Sequence, residues 1–212
     1  RSMLGHLSST VLADISKEMG IPSVLPANIR PLSGSKFLGR AKTLQLATVN
    51  SDSSPDAWKG IYGALQSYDF FRQGDVVMVA NEVPGRAYFG DLNANLAIRA
   101  GAVGAVIDGV TRDTEDVRRL GFPVFARASY CNDIKFEGTL KAMNTPIVIG
   151  DVTIRNDDVV LADEDGVVVI PRRRWTEVEA RAWNVLSNEA HIRLSAARGV
   201  DTGDILNQFG SF

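Results

Sequence analysis

Sulfur and imidazole ligands are scarce in this sequence. Its 212 residues include one cysteine, Cys131, and two histidines, His6 and His191. A single cysteine excludes an internal disulfide and fits a reducing compartment. A zinc site built from Cys and His needs several such ligands, and a Ser-His-Asp or Cys-His catalytic pair needs a suitably placed histidine. The composition therefore argues against zinc chemistry and against these nucleophilic hydrolases.

Long apolar runs and an excess of positive charge are also missing. No apolar stretch approaches eighteen residues and the start does not resemble a secretory signal, so we expect a cytoplasmic protein without a membrane segment. The formal net charge is −2, whereas nucleic-acid binding proteins usually carry a basic patch. The cluster Arg172–Arg174 is more typical of a solvated helix start. We therefore expect a small-molecule partner, and neither nucleic acid nor membrane.

Length and composition indicate one domain over residues 1–212. With 45% hydrophobic and 23% charged residues, the chain can bury one sizeable core. Apolar spacing predicts one helix over about residues 8–20 and another over about 176–199, and we expect both to serve in subunit contacts. Trp58 to Leu65 fits a helix end or a strand equally well. Short apolar runs predict antiparallel strands at Ile147–Ile149, Val152–Ile154, Val159–Ala162 and Val167–Ile170.

The stretch from Gly90 to Asp116 joins a predicted helix to a predicted buried strand. Apolar residues repeat every four positions along the helix, at Leu92, Leu96 and Ala100. Two apolar runs predict strands before and after the helix, at Val76–Ala80 and Val103–Ile107. In a strand-helix-strand unit, both connecting loops lie at the carboxyl ends of parallel strands. Two acidic residues and an arginine from these loops should therefore face one cleft.

That cleft would suit a small carboxylate bound to a metal ion. Gly90 to Asn93 form the first turn of the helix, where free N–H groups and the helix dipole attract an anion. Arg112 can grip a carboxylate with two parallel hydrogen bonds. Asp113 offers a hard oxygen ligand of the kind that Mg²⁺ or Mn²⁺ uses together with water. Two plainer interpretations stay open: Asp91 acting only as an N-cap, and Arg112-Asp113 as a solvated ion pair.

The spacing of these residues resembles a known motif. Asp91, twenty residues, Arg112-Asp113, two more residues and Asp116 are similar to the metal and substrate motif of the 4-hydroxy-4-methyl-2-oxoglutarate aldolases and the related regulator of ribonuclease activity A proteins. The resemblance extends from about Leu7 to Gly199. Further matching segments are VLADISKEMG, GDVVMVA, FPVFAR, DDVVLADEDGVVVIP and NEAHIR.

The resemblance implies a fold, an activity and an assembly. The fold is an α/β, three-layer β/β/α sandwich of the swivelling-domain type, with mixed sheets and terminal helices. The activity is a lyase that uses Mg²⁺ or Mn²⁺ to cleave a 2-oxo acid to pyruvate through a metal-stabilised enolate, as an aldolase, an oxaloacetate decarboxylase or both. The assembly is a homotrimer or homohexamer. The alternative within the family is a non-catalytic, protein-binding regulator of a ribonuclease.

The resemblance also implies roles for individual residues. The predicted catalytic residues are Asp91, Arg112 and Glu189, with Glu189 coming from a neighbouring subunit. The predicted substrate-binding residues are Gly90, Asp91, Leu92, Asn93 and Arg112, and the predicted metal ligand is Asp113. Asn93 departs from the aldolases, which tend to have an apolar residue there; we expect this change to affect substrate shape.

A few other residues are weaker candidates. Arg86 could hold a second substrate carboxylate, although a solvated loop arginine is the plainer interpretation. The loop from Arg127 to Asp133 could approach the site, with Arg127 and Asn132 as its candidates. Schiff-base chemistry is the competing mechanism, but the lysines lack an evident apolar setting that would depress their pKa; they are Lys59, Lys135 and Lys141.

Overall fold

One mixed sheet carries the fold, and its middle strands are parallel. The computed structural model describes residues 3–50, 52, 54–83 and 85–210, so Arg1 and Ser2 lie outside it. The strands are β1 Arg30–Ser33, β2 Phe37–Thr48, β3 Asp75–Asn81, β4 Gly104–Thr111, β5 Val124–Ser129, β6 Gly138–Met143, β7 Ile147–Ile149, β8 Val152–Ile154, β9 Val159–Asp163 and β10 Gly166–Ile170. The helices are α1 Met3–His6, α2 Ser9–Glu18, α3 Ile61–Gln66, α4 Asp91–Arg99, α5 Thr114–Arg119, α6 Trp175–Ala197 and α7 Thr202–Phe209.

The strand order is β1-β5-β4-β3-β2-β9-β10, and β6 lies beside β2. The long strand β2 pairs in parallel with β3 along one edge. Along its other edge it pairs antiparallel with β9 near its start and with β6 near its end. Because β2 serves two neighbours on that edge, the sheet curves into a nearly closed barrel. The four strands predicted between residues 147 and 170 are all present, and they pair antiparallel as β7–β8 and β9–β10.

Both faces of the sheet are covered. On strand β3, Val77 and Val79 pack toward helices α3, α4 and α5, while Val76 and Met78 pack toward the β7–β8 hairpin. A strand buried on both sides reads as a continuous apolar run, which is why residues 76–80 were predictable as a strand. Hairpin, sheet and helices form three layers, and the predicted α/β sandwich is confirmed.

The two predicted terminal helices form close to their expected positions. The Ser8 hydroxyl accepts a hydrogen bond from the Val11 N–H at 3.3 Å and so caps α2. Leu12 and Ile15 of α2 form a third buried cluster with Val178 and Ala182 of α6. The second half of α6 is largely exposed, including Leu194. The use of these helices in subunit contacts stays a prediction.

Near the cleft, the buried face of α4 differs from the prediction, and the structure of the stretch from Trp58 to Leu65 is decided. The apolar repeat of α4 marks its buried face only in part: Leu96 and Ala100 pack against the core, but Leu92 is 56% exposed, whereas Asn93, Ala94 and Ala97 are buried. Small alanines let α4 lie close to the sheet, and hydrogen bonds satisfy the buried Asn93. The ambiguous stretch from Trp58 to Leu65 is helical, as a 3-10 turn Ala57–Gly60 followed by α3. Among the described residues, no helix is both long and apolar enough to cross a membrane.

Candidate functional site

The predicted site residues from two separate loops meet in one cleft. The cleft has a volume of about 160 Å³ and lies between the first turn of α4, the loop after β4, the loop before β6 and helix α3. Its polar lining consists of Gly90, Asp91, Leu92, Asn93, Arg112, Asp113 and Asp133. Its other lining consists of Trp58, Ile61, Tyr62, Leu65, Tyr88, Ile134 and Lys135. We call the first set of residues the polar wall and the second set the aromatic wall.

Backbone pairing brings the two polar segments together across 22 positions of sequence. Phe89 and Thr111 form a parallel bridge. The Arg112 N–H donates to the Phe89 carbonyl at 2.9 Å, and the Thr111 hydroxyl donates to the same oxygen at 2.7 Å. These bonds extend β4 beyond the predicted end at Ile107 and hold Gly90 beside Asp113. The sequence pattern indicated both loops, and this pairing fixes their distance.

This close approach favours glycine at position 90. A Cβ atom at Gly90 would lie 2.4 Å from Asp113 Oδ2 and 3.2 Å from Arg112 Cγ, so a side chain here would displace the Asp113 carboxylate. Gly90 is also the N-cap residue of α4, with extended backbone and no capping side chain. Asp91 is the first helical residue, and the alternative that Asp91 is the N-cap is therefore wrong. Its carboxylate is exposed at the cleft.

The Asp113 carboxylate substitutes for the missing cap. Its Oδ2 atom accepts from the Asp91 N–H at 3.3 Å and lies 3.5 Å from Arg112 Nε. Asp113 adopts the left-handed conformation, with φ 53° and ψ 33°, which is uncommon outside glycine and best tolerated by Asn and Asp. This turn ends β4 and begins α5 within two residues. It directs a carboxylate toward the first turn of α4, whose remaining N–H groups have no intrahelical acceptor.

Arg112 has a second partner that sequence reasoning missed. Its Nη1 atom lies 2.6 Å from Asp133 Oδ2. The loop containing Asp133 is fixed by Ala87, whose N–H donates to the Asn132 carbonyl at 2.8 Å. Asn132, the predicted candidate, therefore contributes its backbone and does not line the cleft. The predicted loop at 127–133 begins only after Ser129, where β5 ends, and it reaches the cleft through Asp133. Only the pairing with Ala87 shows which side chain enters the cleft.

The other arginine candidates lie elsewhere. Arg86 Nε forms an ion pair with Glu137 Oε1 at 2.8 Å, and interaction with the Glu137 side chain raises the pKa of Arg86 above its usual value. Arg127 pairs with Asp108 and also donates to the Asn28 side chain. Neither arginine lines the cleft. The proposals for Arg86 and Arg127 are corrected because carboxylates on neighbouring strands and loops already hold them.

Lys135 is the one lysine of the three candidates that lines the cleft. Its Nζ atom lies 5.3 Å from the centre of the Trp58 ring and 4.9 Å from that of Phe136, in cation–π contact. Lys59 pairs with Asp56, and Lys141 pairs with Glu82. Lys135 is exposed, whereas an activated Schiff-base lysine usually lies in an apolar pocket.

Glu189 lies on α6 and does not line the cleft of its own chain. Its carboxylate pairs with Arg193 one helical turn later. It borders instead a groove between α2 and α6 of about 580 Å³. This location agrees with the expectation that any contribution of Glu189 to the cleft comes from another subunit, and that contribution stays a prediction.

The donor atoms of the polar wall fit a hard divalent cation. Asp91, Asp113 and Asp133 contribute carboxylates to the same cleft, and such oxygens suit Mg²⁺ or Mn²⁺. Within the described residues, no three side chains of Asp, Glu, His or Cys converge closely enough to form a complete metal site. A cation here would therefore be held through one or two carboxylates, with water and substrate in its other positions.

Comparison with known proteins gives relatives over most of the chain. An uncharacterised protein of Methanocaldococcus jannaschii is 30% identical over 198 residues, covering 92% of this chain and 93% of the relative. A protein of Halalkalibacterium halodurans named putative 4-hydroxy-4-methyl-2-oxoglutarate aldolase is 33% identical over 160 residues, covering 74% of this chain and 71% of that one.

Solved structures resemble the whole fold. The structure of an uncharacterised protein from Pseudomonas syringae superposes with a TM-score of 0.85 at 28% identity and covers 97% of this chain and 91% of that one. RraAS2 of Streptomyces coelicolor, described as an unusual member of the RNase ES inhibitor RraA family, gives a TM-score of 0.75 at 28% identity, with 90% and 93% covered. A family model described as RraA-like, Aldolase/RraA, matches residues 9–169. The resemblance predicted from the sequence is confirmed, and the chain belongs to the RraA-like (Aldolase/RraA) family.

Proposed function

We propose that this protein is a divalent-metal-dependent lyase that cleaves a 2-oxo acid to pyruvate, as a 4-hydroxy-4-methyl-2-oxoglutarate-type aldolase, an oxaloacetate decarboxylase or both. One observation carries the proposal. A helix N-terminus, a guanidinium group and three carboxylates meet in a single cleft of about 160 Å³. The first two bind a carboxylate, and the carboxylates supply hard oxygen ligands.

The substrate carboxylate is bound by the polar wall. Two of the guanidinium nitrogens of Arg112 point toward Asp113 and Asp133, and its five N–H donors leave others for the substrate. The backbone N–H groups of Leu92 and Asn93 complete the binding, because first-turn amides lack an intrahelical acceptor. Ion pairing with Asp133 keeps the guanidinium in place before the substrate arrives.

Asp113 would hold the cation, and Asp91 would act as the proton-transfer group through a water in the cleft. A bound cation supplies Lewis-acid stabilisation of the negative oxygen that forms when the C3–C4 bond of the substrate breaks. In an aldol substrate, the proton of the C4 hydroxyl must leave and C3 of the pyruvate unit must gain a proton. Asp91 is exposed to the cleft and moves these protons through that water.

A neighbouring subunit completes the site through Glu189. Glu189 lies outside the cleft of its own chain, so the proposed assembly is a homotrimer or homohexamer with shared sites. Mixing Asp113→Asn protein with Glu189→Gln protein tests this, because hybrid assemblies regain some wild-type sites. We expect each variant to be weakly active alone and the mixture, after subunit exchange, to recover activity. No recovery, or a fully active monomer in sedimentation, would remove Glu189 from the proposal.

Pyruvate release from oxaloacetate tests the activity itself. Purified protein is assayed with Mg²⁺, with Mn²⁺ and after complete chelation, with spontaneous decarboxylation by free metal subtracted. We expect release that depends on both protein and metal. Activity that survives chelation would support a lysine mechanism instead. The same assay with 4-hydroxy-4-methyl-2-oxoglutarate measures the aldolase reaction.

A regulator is the second candidate function. It is favoured by the likeness to RraAS2, which is described within a family of ribonuclease inhibitors. A regulator would bind a ribonuclease and needs no turnover. The two candidates separate in one comparison: a regulator keeps its inhibition when Arg112 and Asp113 are both substituted, and the lyase loses its activity.

A further inference from the structure

Asn93 is a buried polar side chain at the N-terminal end of α4. It is the third residue of the helix and only 6% exposed. Its backbone N–H belongs to the turn that is proposed to bind the substrate carboxylate. Its side chain points into the protein, so the expected effect on substrate shape does not come from direct contact. Burying an amide is costly unless its donors and acceptor are satisfied.

Two hydrogen bonds satisfy the Asn93 side chain and join it to two other segments. Its Oδ1 atom accepts from the Tyr68 hydroxyl at 3.0 Å, and its Nδ2 atom donates to the Tyr88 carbonyl at 2.9 Å. Tyr68 is 2% exposed and lies in the 3-10 turn Ser67–Phe70. Burial raises the pKa of the Tyr68 phenol well above its usual value, so the hydroxyl stays protonated and remains a donor.

These bonds hold α4 at a rotation about its axis that leaves one leucine exposed. The helix carries Leu92 exposed at 56% while the polar Asn93 is buried. Burial of the leucine would favour turning the helix about its axis, since burying a leucine side chain is worth about 1.5–3 kcal/mol. The two bonds to Asn93 are specific to one rotation. Tyr88 also lies two residues before Gly90, so the bond to its carbonyl fixes the chain as it enters the cleft.

We propose that Asn93 is a positioning residue, whose side chain sets the rotation of α4 so that the N–H groups of Leu92 and Asn93 point at the substrate carboxylate. This inference rests on the proposed function. The side chain acts from behind the cleft and does not touch the substrate. An apolar residue at this position, as is usual in the aldolases that the sequence resembles, would need a different means of holding the helix.

Asn93→Leu and Tyr68→Phe test the proposal. The first removes both hydrogen bonds and the second removes one while leaving the ring. We expect Asn93→Leu to raise KM for oxaloacetate about 10-fold and to leave kcat within about 2-fold, because amides that bind ground and transition states equally affect KM. Tyr68→Phe should shift KM in the same direction by a smaller factor. Calorimetric affinity for oxalate, which offers two adjacent carboxylates, should weaken in parallel.

Thr43→Val is the matched control for simple destabilisation. Thr43 is 1% exposed, and its hydroxyl donates to the Thr145 carbonyl at 2.6 Å, away from the cleft. We expect this variant to lower Tm as much as Tyr68→Phe but to keep the wild-type KM and oxalate affinity. If Asn93→Leu fails to fold, Tyr68→Phe decides the matter.

The outcomes separate the two proposals. Wild-type protein that neither releases pyruvate nor binds oxalate overturns the proposed function. Active wild-type protein together with unchanged KM and oxalate affinity in Asn93→Leu and Tyr68→Phe overturns the positioning role alone. A fall in kcat at constant KM would overturn it as well, because that result indicates fewer folded sites and not misaligned amides.

Discussion

The two walls of the cleft are built in different ways. The polar wall consists of chain turns fixed by backbone hydrogen bonds, such as the bond from the Arg112 N–H to the Phe89 carbonyl. Four of the seven residues of the aromatic wall project from a 3-10 turn and helix α3. Of these, Trp58 lies 5.7 Å from Tyr62 and 4.6 Å from Phe136, a neighbour outside the wall, between ring centres. A surface fixed by backbone hydrogen bonds keeps its shape after most side-chain substitutions. The shape of a surface formed by side chains changes with each substitution. In the proposed reaction, the polar wall would bind the pyruvate unit that the two candidate substrates share, and the aromatic wall would contact the part in which they differ.

The largest effect is expected at the metal ligand. Asp113→Asn should lower kcat/KM for oxaloacetate about 100- to 1,000-fold, because the developing negative oxygen loses its main stabiliser. Asparagine is the right replacement because it tolerates the φ of 53° at this position. Raising Mg²⁺ should restore part of the rate. Asp69→Asn, an exposed carboxylate paired with Arg99 outside the cleft, is the control and should behave as wild type.

The next effect is expected at the carboxylate-binding arginine. Arg112→Ala should lower kcat/KM about 10- to 150-fold, and Arg112→Lys should recover little because lysine lacks the planar fork. Extra Mg²⁺ should not restore the kcat/KM of Arg112→Ala. Arg127→Ala removes an arginine that is also ion-paired but lies outside the cleft. Equal, mild losses for Arg112 and Asp113 variants in folded protein would show only a surface ion pair, and the lyase proposal would fail.

A smaller loss is expected from crowding the polar wall. Gly90→Ala places a Cβ 2.4 Å from Asp113 Oδ2 and forces that carboxylate to move. Displacement of a catalytic group by about 1 Å can cost up to about 100-fold, and we expect about 10- to 100-fold here with the fold retained. Gly5→Ala, where nothing lies within 4 Å of the added atom, should leave activity unchanged. A fully active Gly90→Ala protein would show that activity does not depend on the close approach of residue 90 to Asp113.

The smallest effect on the common reaction is expected at the aromatic wall. Trp58→Ala should change oxaloacetate turnover by less than about 2-fold, since this small substrate has little beyond the pyruvate unit. Turnover of 4-hydroxy-4-methyl-2-oxoglutarate should fall about 5-fold, equivalent to about 1 kcal/mol of aromatic contact. Comparing the ratio of the two rates with that of wild type is the measurement. Equal losses of turnover on both substrates would show that the aromatic wall does not contact only the variable part of the substrate.

Most residues of the polar wall were predictable from the sequence, but Asp133 was not. Asp91, Arg112 and Asp113 stand beside a helix start and a strand end, which local pattern reveals. Asp133 lies in an irregular loop, and its position depends on the pairing of that loop with Ala87. Such long-range backbone contacts leave no periodic signal in the sequence.

The fold shows the same division. Strands buried on both faces were predictable as apolar runs, as were the antiparallel pairs near the end of the sheet. The exposure of Leu92 and the burial of Asn93 on α4 were not, because the hydrogen bonds from Asn93 to Tyr68 and Tyr88 leave no periodic signal in the sequence. Trp58 stayed ambiguous because a 3-10 turn and one short helix are too brief to show a period.

The balance of charge in the cleft has a consequence for the order of binding. Three carboxylates, Asp91, Asp113 and Asp133, face two cations, Arg112 and Lys135. The ionised side chains alone therefore oppose the attraction that the first turn of α4 offers to an anionic substrate, and a bound divalent cation would reverse the sign of their net charge. We expect compulsory-order addition, in which the cation binds first and increases the affinity for the 2-oxo acid. Because linkage is reciprocal, a carboxylate ligand should retain the cation by the same factor.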